Sequence, residues 1–358
     1  MSSQAKATLQ EIRDAVEIEL AAFLKEQSKF LVSISSDLAP VAQALSSFLL
    51  DSGKRLRPLF AYCGYVSTGA EVTAPIIRAI ASLELLQACA LIHDDLMDGS
   101  DMRRGKPSIH RHFESLHVQD ELEGFAPAYG SAAAVLLGDL ALVWSNQMLN
   151  SAGLTPKQIN DVMPIYDEMR TELMAGQFLD IHEQTQKRAD LNRSITIARY
   201  KSGKYTIERP LLIGAALSGA QSAELFAALS AYGLPLGEAF QYRDDLLGVF
   251  GEPSITGKPA GDDLREGKRT VLIALTDKAS TEVMRETSRK YFGAPDLDEH
   301  GVKILQEIIV STGAKEQLES MIDELTKQAL TAADNELIGE NAHPLLLELA
   351  KIATKRSA

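Results

Sequence analysis

The chain has 358 residues, 45% hydrophobic and 24% charged, which is enough apolar material for one large or two ordinary domains. Its net charge of −13 argues against sequence-independent nucleic-acid binding, which depends on Lys and Arg neutralising phosphates. Two cysteines in apolar surroundings, Cys63 and Cys89, predict neither a disulfide framework nor a zinc site, so we expect a reduced, cytoplasmic protein.

Membrane targeting is not expected from the sequence. The N-terminal residues carry scattered acids and lack the apolar h-region of a signal peptide. The longest apolar run, 132–144, is interrupted by Asp139 and is shorter than the roughly 20 residues of a spanning helix. We therefore expect no stable membrane insertion.

Helical periodicity dominates the chain. Apolar residues recur three and four positions apart over 5–32, 38–50, 72–96, 130–150, 158–182, 195–220, 222–250, 268–291, 301–312 and 315–335. No segment shows a clear strand alternation or an Asn-Gly hairpin signal. These patterns predict one all-α domain over 1–358, with about ten or more helices around a central apolar cavity and the N-terminal helix packed on it.

The stretch LIHDDLMDGSDMRRGKPSIH, residues 91–110, places a cluster of aspartates directly after an apolar helix. Asp94 and Asp98 are four residues apart and share a face if the helix extends that far, whereas Asp95 lies about 100° around it. Negative charge at a helix C-terminus is disfavoured by the helix dipole. A hard cation such as Mg²⁺ would reverse that penalty. The alternative is a solvated, acidic helix end.

A second acidic pair, Asp244 and Asp245, ends the apolar run of LPLGEAFQYRDDLLGVFG. Gln241 lies three and four residues before them, on the same side of the helix. Two such pairs, about 150 residues apart, could face one another and hold metal ions that bridge a polyphosphate.

Glycine-flanked basic segments complement the acidic ones. They are GKRLRP with Lys54, Arg55 and Arg57, MRRGKP with Arg103, Arg104 and Lys106, YKSGKY with Lys201 and Lys204, and TGKPAGDDLREGKRT with Lys258, Lys268 and Arg269. Glycine lets the backbone approach an anion closely. Any one segment fits a solvated loop, but together they predict a phosphate-bearing ligand held by both cationic side chains and metal.

With these motifs in this order, the chain resembles the trans-isoprenyl diphosphate synthases of the polyprenyl synthetase family over about residues 20–350. It is most similar to the short-chain geranylgeranyl diphosphate synthases. GQFLD at 176–180 and GKPAGDD at 257–263 strengthen the resemblance. The resemblance implies the isoprenoid synthase fold, a homodimer and up to three Mg²⁺ per active site. It also implies head-to-tail (1′-4) condensation of isopentenyl diphosphate with allylic diphosphates.

The resemblance also implies roles for individual residues. Metal binding falls to Asp94, Asp98 and Asp244, with Asp95 beside them. The remaining assignments are Arg103, Lys201 and Lys258 for the allylic diphosphate; Lys54, Arg57, Gln87 and Arg104 for isopentenyl diphosphate; Gln241 and Ser202 facing the allylic cation; and Gln177 and Asp180 in support.

Three positions depart from the family pattern. Gly248 stands where the second motif usually has its third aspartate, with Asp262 and Asp263 nearby in sequence as candidate replacements. Gln87 replaces a frequent histidine, and Ser202 replaces a threonine while keeping the hydroxyl group.

Product length is predicted from the helix before Asp94, along which the growing chain should lie. Cys89 and Ala90 are small and leave room beyond C15, whereas Leu86 and then Leu83 are candidates for the floor. The expected product is therefore C20, geranylgeranyl diphosphate, with farnesyl (C15) or C25 and longer products as alternatives. Cys89 and Ala90 could instead serve close helix packing.

Other classes of function fit less of the sequence. A class I terpene synthase also uses aspartate-rich motifs, but has no second diphosphate to explain GKRLRP. A His-Asp phosphohydrolase built on His93–Asp95 would need further histidines. A catalytically weak regulatory subunit is favoured by Gly248 alone. His110, His112 and His117 are expected to be solvated loop positions, and Asp101 has no assigned role.

Overall fold

The computed structural model describes residues 2–51, 53–220, 222–252, 260–294 and 296–355, and in these residues the fold is all-α, as predicted. The first helices are α1 (Ser2–Ile34), α2 (Ala39–Leu50), α3 (Leu56–Val66), α4 (Ala74–Asp98), α5 (Ile109–Gln119), α6 (Ala126–Asn150) and α7 (Pro156–Gln184). Then follow α8 (Leu191–Ile197), a π-helix (Ala198–Glu208), α9 (Arg209–Leu217) and α10 (Ala223–Phe250). The last are α11 (Asp262–Arg265), α12 (Val271–Ala279), α13 (Glu282–Tyr291), α14 (Glu299–Ser311), α15 (Ala314–Ala333) and α16 (His343–Thr354).

Four helices were not predicted from periodicity: α3, α5, α16 and the four-residue α11. In addition, the predicted helix 268–291 is two helices, because the Thr281 hydroxyl caps α13 by accepting from the Met284 N–H at 3.3 Å. The prediction that His110, His112 and His117 are solvated loop positions was wrong, since all three lie in α5. His110 and His117 are buried there.

A short hairpin follows α4, with β1 (Met102–Arg103) paired antiparallel to β2 (Lys106–Pro107). Its turn residues, Arg104 and Gly105, have φ values of 53° and 75°. Positive φ at both central residues is the geometry of a type I′ turn, which matches the twist of a two-stranded ribbon. The motif MRRGKP is therefore a hairpin tip, in which Arg103 ends β1 and Arg104 is the first central residue of the turn.

The chain divides into two compact units. The first comprises residues 1–163, 213–221 and 339–345, and the second comprises 164–212, 222–338 and 346–358. In the first unit, α4 packs against α6, α1 and α3. Glycine permits the close approach of α6: a Cβ at Gly138 would lie 2.0 Å from His93 Nε2 on α4.

In the second unit, α10 packs against the π-helix and α15. A Cβ on Gly237 of α10 would lie 2.6 Å from the Gly203 carbonyl oxygen, so this contact requires glycine at both positions. A cluster of buried side chains from α10, α12, α14 and α15 forms the core, including Leu246, Leu272, Leu305 and Leu318.

Two helices, α4 and α6, are long and apolar enough to cross a membrane by length and composition alone. The most apolar stretch of α4 is 67% buried inside the protein. Core helices can have the length and composition of a spanning helix when they are mostly buried in this way. The corresponding stretch of α6 is 28% buried. Its exposed apolar face is therefore available to a partner.

Candidate functional site

The end of α4 carries two partly exposed aspartates, Asp94 and Asp98. The helix continues to Asp98 and ends at Gly99, whose φ of 68° provides the left-handed C-cap. The condition for Asp94 and Asp98 to share a face is thus met. Both side chains are partly exposed, and that of Asp94 is 15% accessible.

Asp95 differs from its neighbours because it is buried and already engaged by a guanidinium group. Arg103 Nε donates to Asp95 Oδ1 and Oδ2 at 2.9 and 3.0 Å, and Arg103 Nη2 also donates to Oδ1. In this structure Asp95 therefore positions Arg103. The same guanidinium lies 3.8 Å from Asp94 Oδ2, beside the accessible carboxylates. Metal binding by Asp95 itself stays a prediction.

A cluster of cationic side chains lies near the hairpin tip. Desolvation lowers the pKa of the Arg104 guanidinium, and the charges of Arg55, Arg103 and Arg57 lower it further against the opposing effect of Glu84. Arg104 Nη1 donates to the Phe48 carbonyl at 3.3 Å. A bound polyanion would offset the positive charges that act on Arg104.

The cations of GKRLRP have separate roles. Arg55 has a left-handed backbone with φ of 51° and is 2% exposed. Its guanidinium donates to Glu84 Oε2 at 2.9 Å and to the Leu49 carbonyl at 2.6 Å, so it is structural. Lys54 is exposed, and Arg57 is partly exposed in the first turn of α3. Glu84 was missed from the sequence, because nothing local indicates an ion pair 29 residues away.

The face of α4 that leads back from Asp94 is partly accessible at Ala90 and Gln87. The Gln87 amide oxygen is buried, and no other described residue hydrogen-bonds to it. Leu86 is fully buried. Cys89 is also fully buried, with Sγ 3.8 Å from His93 Nδ1, and burial followed by the charge of Asp139 raises the thiol pKa to about 12. Of the two small residues, Ala90 is thus the one on the accessible face.

The second unit contributes the carboxylates at the end of α10. Asp244 is partly exposed, whereas Asp245 is buried and accepts a hydrogen bond from Gln241 Nε2 at 2.7 Å. Burial raises the pKa of Asp245 well above its usual value, and the negative charges of Asp263, Asp244 and Asp180 add to that effect while the Gln241 hydrogen bond opposes it. Gln241 therefore holds Asp245, and both side chains lie within one turn of Asp244.

Lys201 lies on the π-helix, a conformation that is frequently found at functional sites. Its Nζ is 2.6 Å from Asp180 Oδ2 on α7, so GQFLD and KSGKY meet. Gly176 allows this, because a Cβ there would lie 2.3 Å from the Lys201 backbone nitrogen. Ser202 is partly exposed beside Lys201.

The other lysine of KSGKY serves the fold. Lys204 and Arg209 both bind Glu172 of α7, with two Arg209 hydrogen bonds of 2.7 Å. Sequence reasoning missed Glu172 and Arg209, which no motif marks. Lys258 lies outside the described residues. Asp101 forms an exposed pair with Arg111 at 2.7 Å.

The residues present fit a divalent cation that is shared with a phosphate ligand. Mg²⁺ binds through one or two carboxylates plus substrate phosphates rather than in an all-protein cage. Asp94 and Asp98 supply two carboxylates one turn apart, and the Arg103 guanidinium lies 3.8 Å from that of Asp94. Across the described ranges no three acidic, His or Cys side chains form a preformed metal site.

The comparisons with known proteins converge on one family. The family model described as polyprenyl synthetase matches residues 39–309. A geranylfarnesyl diphosphate synthase of Aeropyrum pernix is 33% identical over 75% of this chain and 79% of its own. A geranylgeranyl diphosphate synthase of Methanosarcina mazei is 30% identical over 70% and 73%.

A solved structure gives the same picture. The crystal structure of a Corynebacterium glutamicum geranylgeranyl pyrophosphate synthase, complexed with isoprenyl diphosphate and magnesium, matches with a TM-score of 0.94 and 39% identity. The match covers 98% of this chain and 99% of that one.

Proposed function

Because this chain belongs to the polyprenyl synthetase family and is a trans-prenyltransferase with a divalent metal cofactor, we propose that it makes geranylgeranyl diphosphate with Mg²⁺ as the metal. The reaction is head-to-tail (1′-4) condensation of isopentenyl diphosphate with allylic diphosphates. One observation carries the proposal: the first unit combines the Asp94–Asp98 pair with Arg104, on which the positive charges of Arg57 and Arg103 act. An acidic pair beside a cationic cluster suits a metal-bound diphosphate together with a second diphosphate.

The two diphosphates would be held by different side chains. Lys54, Arg57, Arg104 and Gln87 bind isopentenyl diphosphate. Arg103, oriented by Asp95, binds the allylic diphosphate. In the second unit Lys201 also binds the allylic diphosphate, and Asp180 positions its ammonium group before the substrate arrives. Lys258 has the same assignment and lies outside the described residues.

Asp94, Asp98 and Asp244 would hold up to three Mg²⁺ ions, which would supply Lewis-acid neutralisation of the leaving diphosphate. Arg103 and Lys201 add positive charge to that leaving group, so the allylic C–O bond ionises. Gln241 and Ser202 present their polar atoms to the allylic cation, and the double bond of isopentenyl diphosphate attacks it. The departing diphosphate accepts the proton that is then lost. The apolar face of α4 excludes water, which would quench the cation.

The proposal of a C20 product depends on the partly accessible face of α4. Ala90 leaves space one turn before Asp94, and Leu86 is the residue that closes it a turn deeper. The names of the relatives above include both geranylgeranyl and geranylfarnesyl diphosphate synthases, so product length has to be measured.

We also propose a cytoplasmic homodimer. On α6, Leu136 and Val143 are 65% and 60% exposed, and in the second unit Phe178 of α7 is 68% exposed. Apolar side chains of this size, grouped on helices that keep one face open, are usual where a second copy packs. A dimer would cover the apolar face of α6 without a membrane.

The test is incorporation of labelled isopentenyl diphosphate by the purified protein, with Mg²⁺ and either dimethylallyl or farnesyl diphosphate. We expect a C20 alcohol after dephosphorylation, and no product in the presence of a chelator. Asp98→Asn should abolish incorporation, whereas Asp101→Asn, a matched change at an exposed pair, should not. Absence of incorporation by the unaltered protein would refute the synthase and favour a regulatory subunit.

A further inference from the structure

The acidic cluster at the end of α10, Asp244 and Asp245, lacks one carboxylate that the cluster at the end of α4 has. On α4, Asp94 and Asp98 lie one turn apart, but on α10 the residue one turn after Asp244 is Gly248. The space for a side chain at 248 is nevertheless filled. A Cβ built on Gly248 would lie 2.0 Å from Asp263 Oδ2 and 2.4 Å from Asp263 Cγ. A carboxylate from α11 thus lies directly where a side chain at 248 would begin.

We propose that Asp263 is a metal-binding residue that acts with Asp244, and that it supplies the carboxylate missing at position 248. The inference rests on the proposed function, and its ligand is a divalent cation shared with a diphosphate. The two clusters of the chain then present equivalent pairs: Asp94 with Asp98, and Asp244 with Asp263. In the first pair the helix sets the spacing, whereas in the second a neighbouring segment sets it.

The backbone around Asp263 fixes its carboxylate in place. Gly261, with φ of 74°, turns the chain into α11, and the Lys268 N–H donates to the Asp263 carbonyl at 3.0 Å. Leu264 is fully buried, and its carbonyl accepts from the Gly293 N–H at 2.9 Å. The Asp263 side chain keeps 17% of its surface accessible, enough for a ligand to reach it.

Geometry places Asp263 near Asp244. Gly248 is one turn after Asp244 on α10, so the Asp263 carboxylate at Gly248 lies on the same side of that helix as Asp244. Lys268 Nζ lies 3.8 Å from Asp263 Oδ1 but is held closer by Glu266, at 2.6 Å. Lys201 is engaged by Asp180. Mg²⁺ needs only one or two such carboxylates when phosphate oxygens complete its shell.

Asp262 provides a matched control. It precedes Asp263 in the same helix and is partly exposed, but its carboxylate is not the one at Gly248. Asp262→Asn and Asp263→Asn therefore make the same chemical change one residue apart. A relocation variant completes the set: Gly248→Asp combined with Asp263→Ala moves the carboxylate onto α10 and removes the atoms that would clash with it.

The measurement is calorimetric titration of Mg²⁺ into the full-length protein in the presence of inorganic diphosphate, with melting temperature as a check on folding. We expect Asp263→Asn to weaken Mg²⁺ binding by about tenfold or more and to raise the Mg²⁺ concentration for half-maximal activity by a similar factor. Asp262→Asn should titrate like the unaltered protein. The relocation variant should recover most of the lost affinity.

Unchanged Mg²⁺ binding in folded Asp263→Asn would overturn the inference, as would an equal loss in Asp262→Asn. If Asp263→Asn does not fold, the relocation variant provides the test. A folded relocation variant that binds Mg²⁺ weakly would also refute the inference. These outcomes are separate from failure of the proposed function. An unaltered protein that incorporates no isopentenyl diphosphate refutes the synthase itself, whatever Asp263 does.

Discussion

Substitution of Ala90 by Phe should shorten the product from C20 to C15. Ala90 precedes Asp94 by four residues, about 6 Å along the helix axis, and Leu86 precedes it by eight, about 12 Å. Ala90 shares the partly accessible face with Asp94, so a ring at this position moves the floor from the level of Leu86 to that of residue 90. The depth available to the hydrocarbon is thus roughly halved.

The assay is chromatography of the dephosphorylated products made from labelled isopentenyl diphosphate and dimethylallyl diphosphate. Ala90→Ser, which stays small, should keep the C20 product. Cys89→Phe should also shorten the product, but Cys89 is fully buried, so overpacking should cost about 1–3 kcal/mol of stability as well. A folded, active Ala90→Phe enzyme that still makes C20 would show that the hydrocarbon does not lie along this face.

Two further substitutions test the division of roles and the assembly. Arg55→Ala should lower the free energy of unfolding by about 3–5 kcal/mol, because it leaves Glu84 buried and unpaired, whereas Arg57→Ala should preserve the melting temperature and raise the KM for isopentenyl diphosphate. Loss of stability in Arg57→Ala and a raised KM in Arg55→Ala would show instead that Arg57 is structural and Arg55 binds substrate. Light scattering should show that Leu136→Arg is a monomer. Val283→Arg, at a comparably exposed position on α13, should keep the mass of the dimer. A monomeric unaltered protein would rule out the dimer.

Predictions based on local geometry agree well with the structure. The i,i+4 relation of Asp94 and Asp98 depends only on α4 continuing past Met97, and the Gly99 cap ends the helix one residue after Asp98. Gln241 and Asp245 are likewise one turn apart and hydrogen-bonded. Periodicity missed α3, α5, α11 and α16, and it did not indicate the hairpin of MRRGKP, which depends on the positive φ of Arg104 and Gly105.

The sequence by itself determined the helical class, the acidic helix ends and the family, because these depend on residue spacing and motif order along the chain. Tertiary structure decided which charges are available. Arg55 and Arg57 look equivalent in GKRLRP, yet a buried partner 29 residues away makes one of them structural. Asp263 and Gly248 are 15 residues apart in sequence, and only the packing of α11 against α10 brings them together. Burial and ion pairing depend on contacts that residue spacing does not encode.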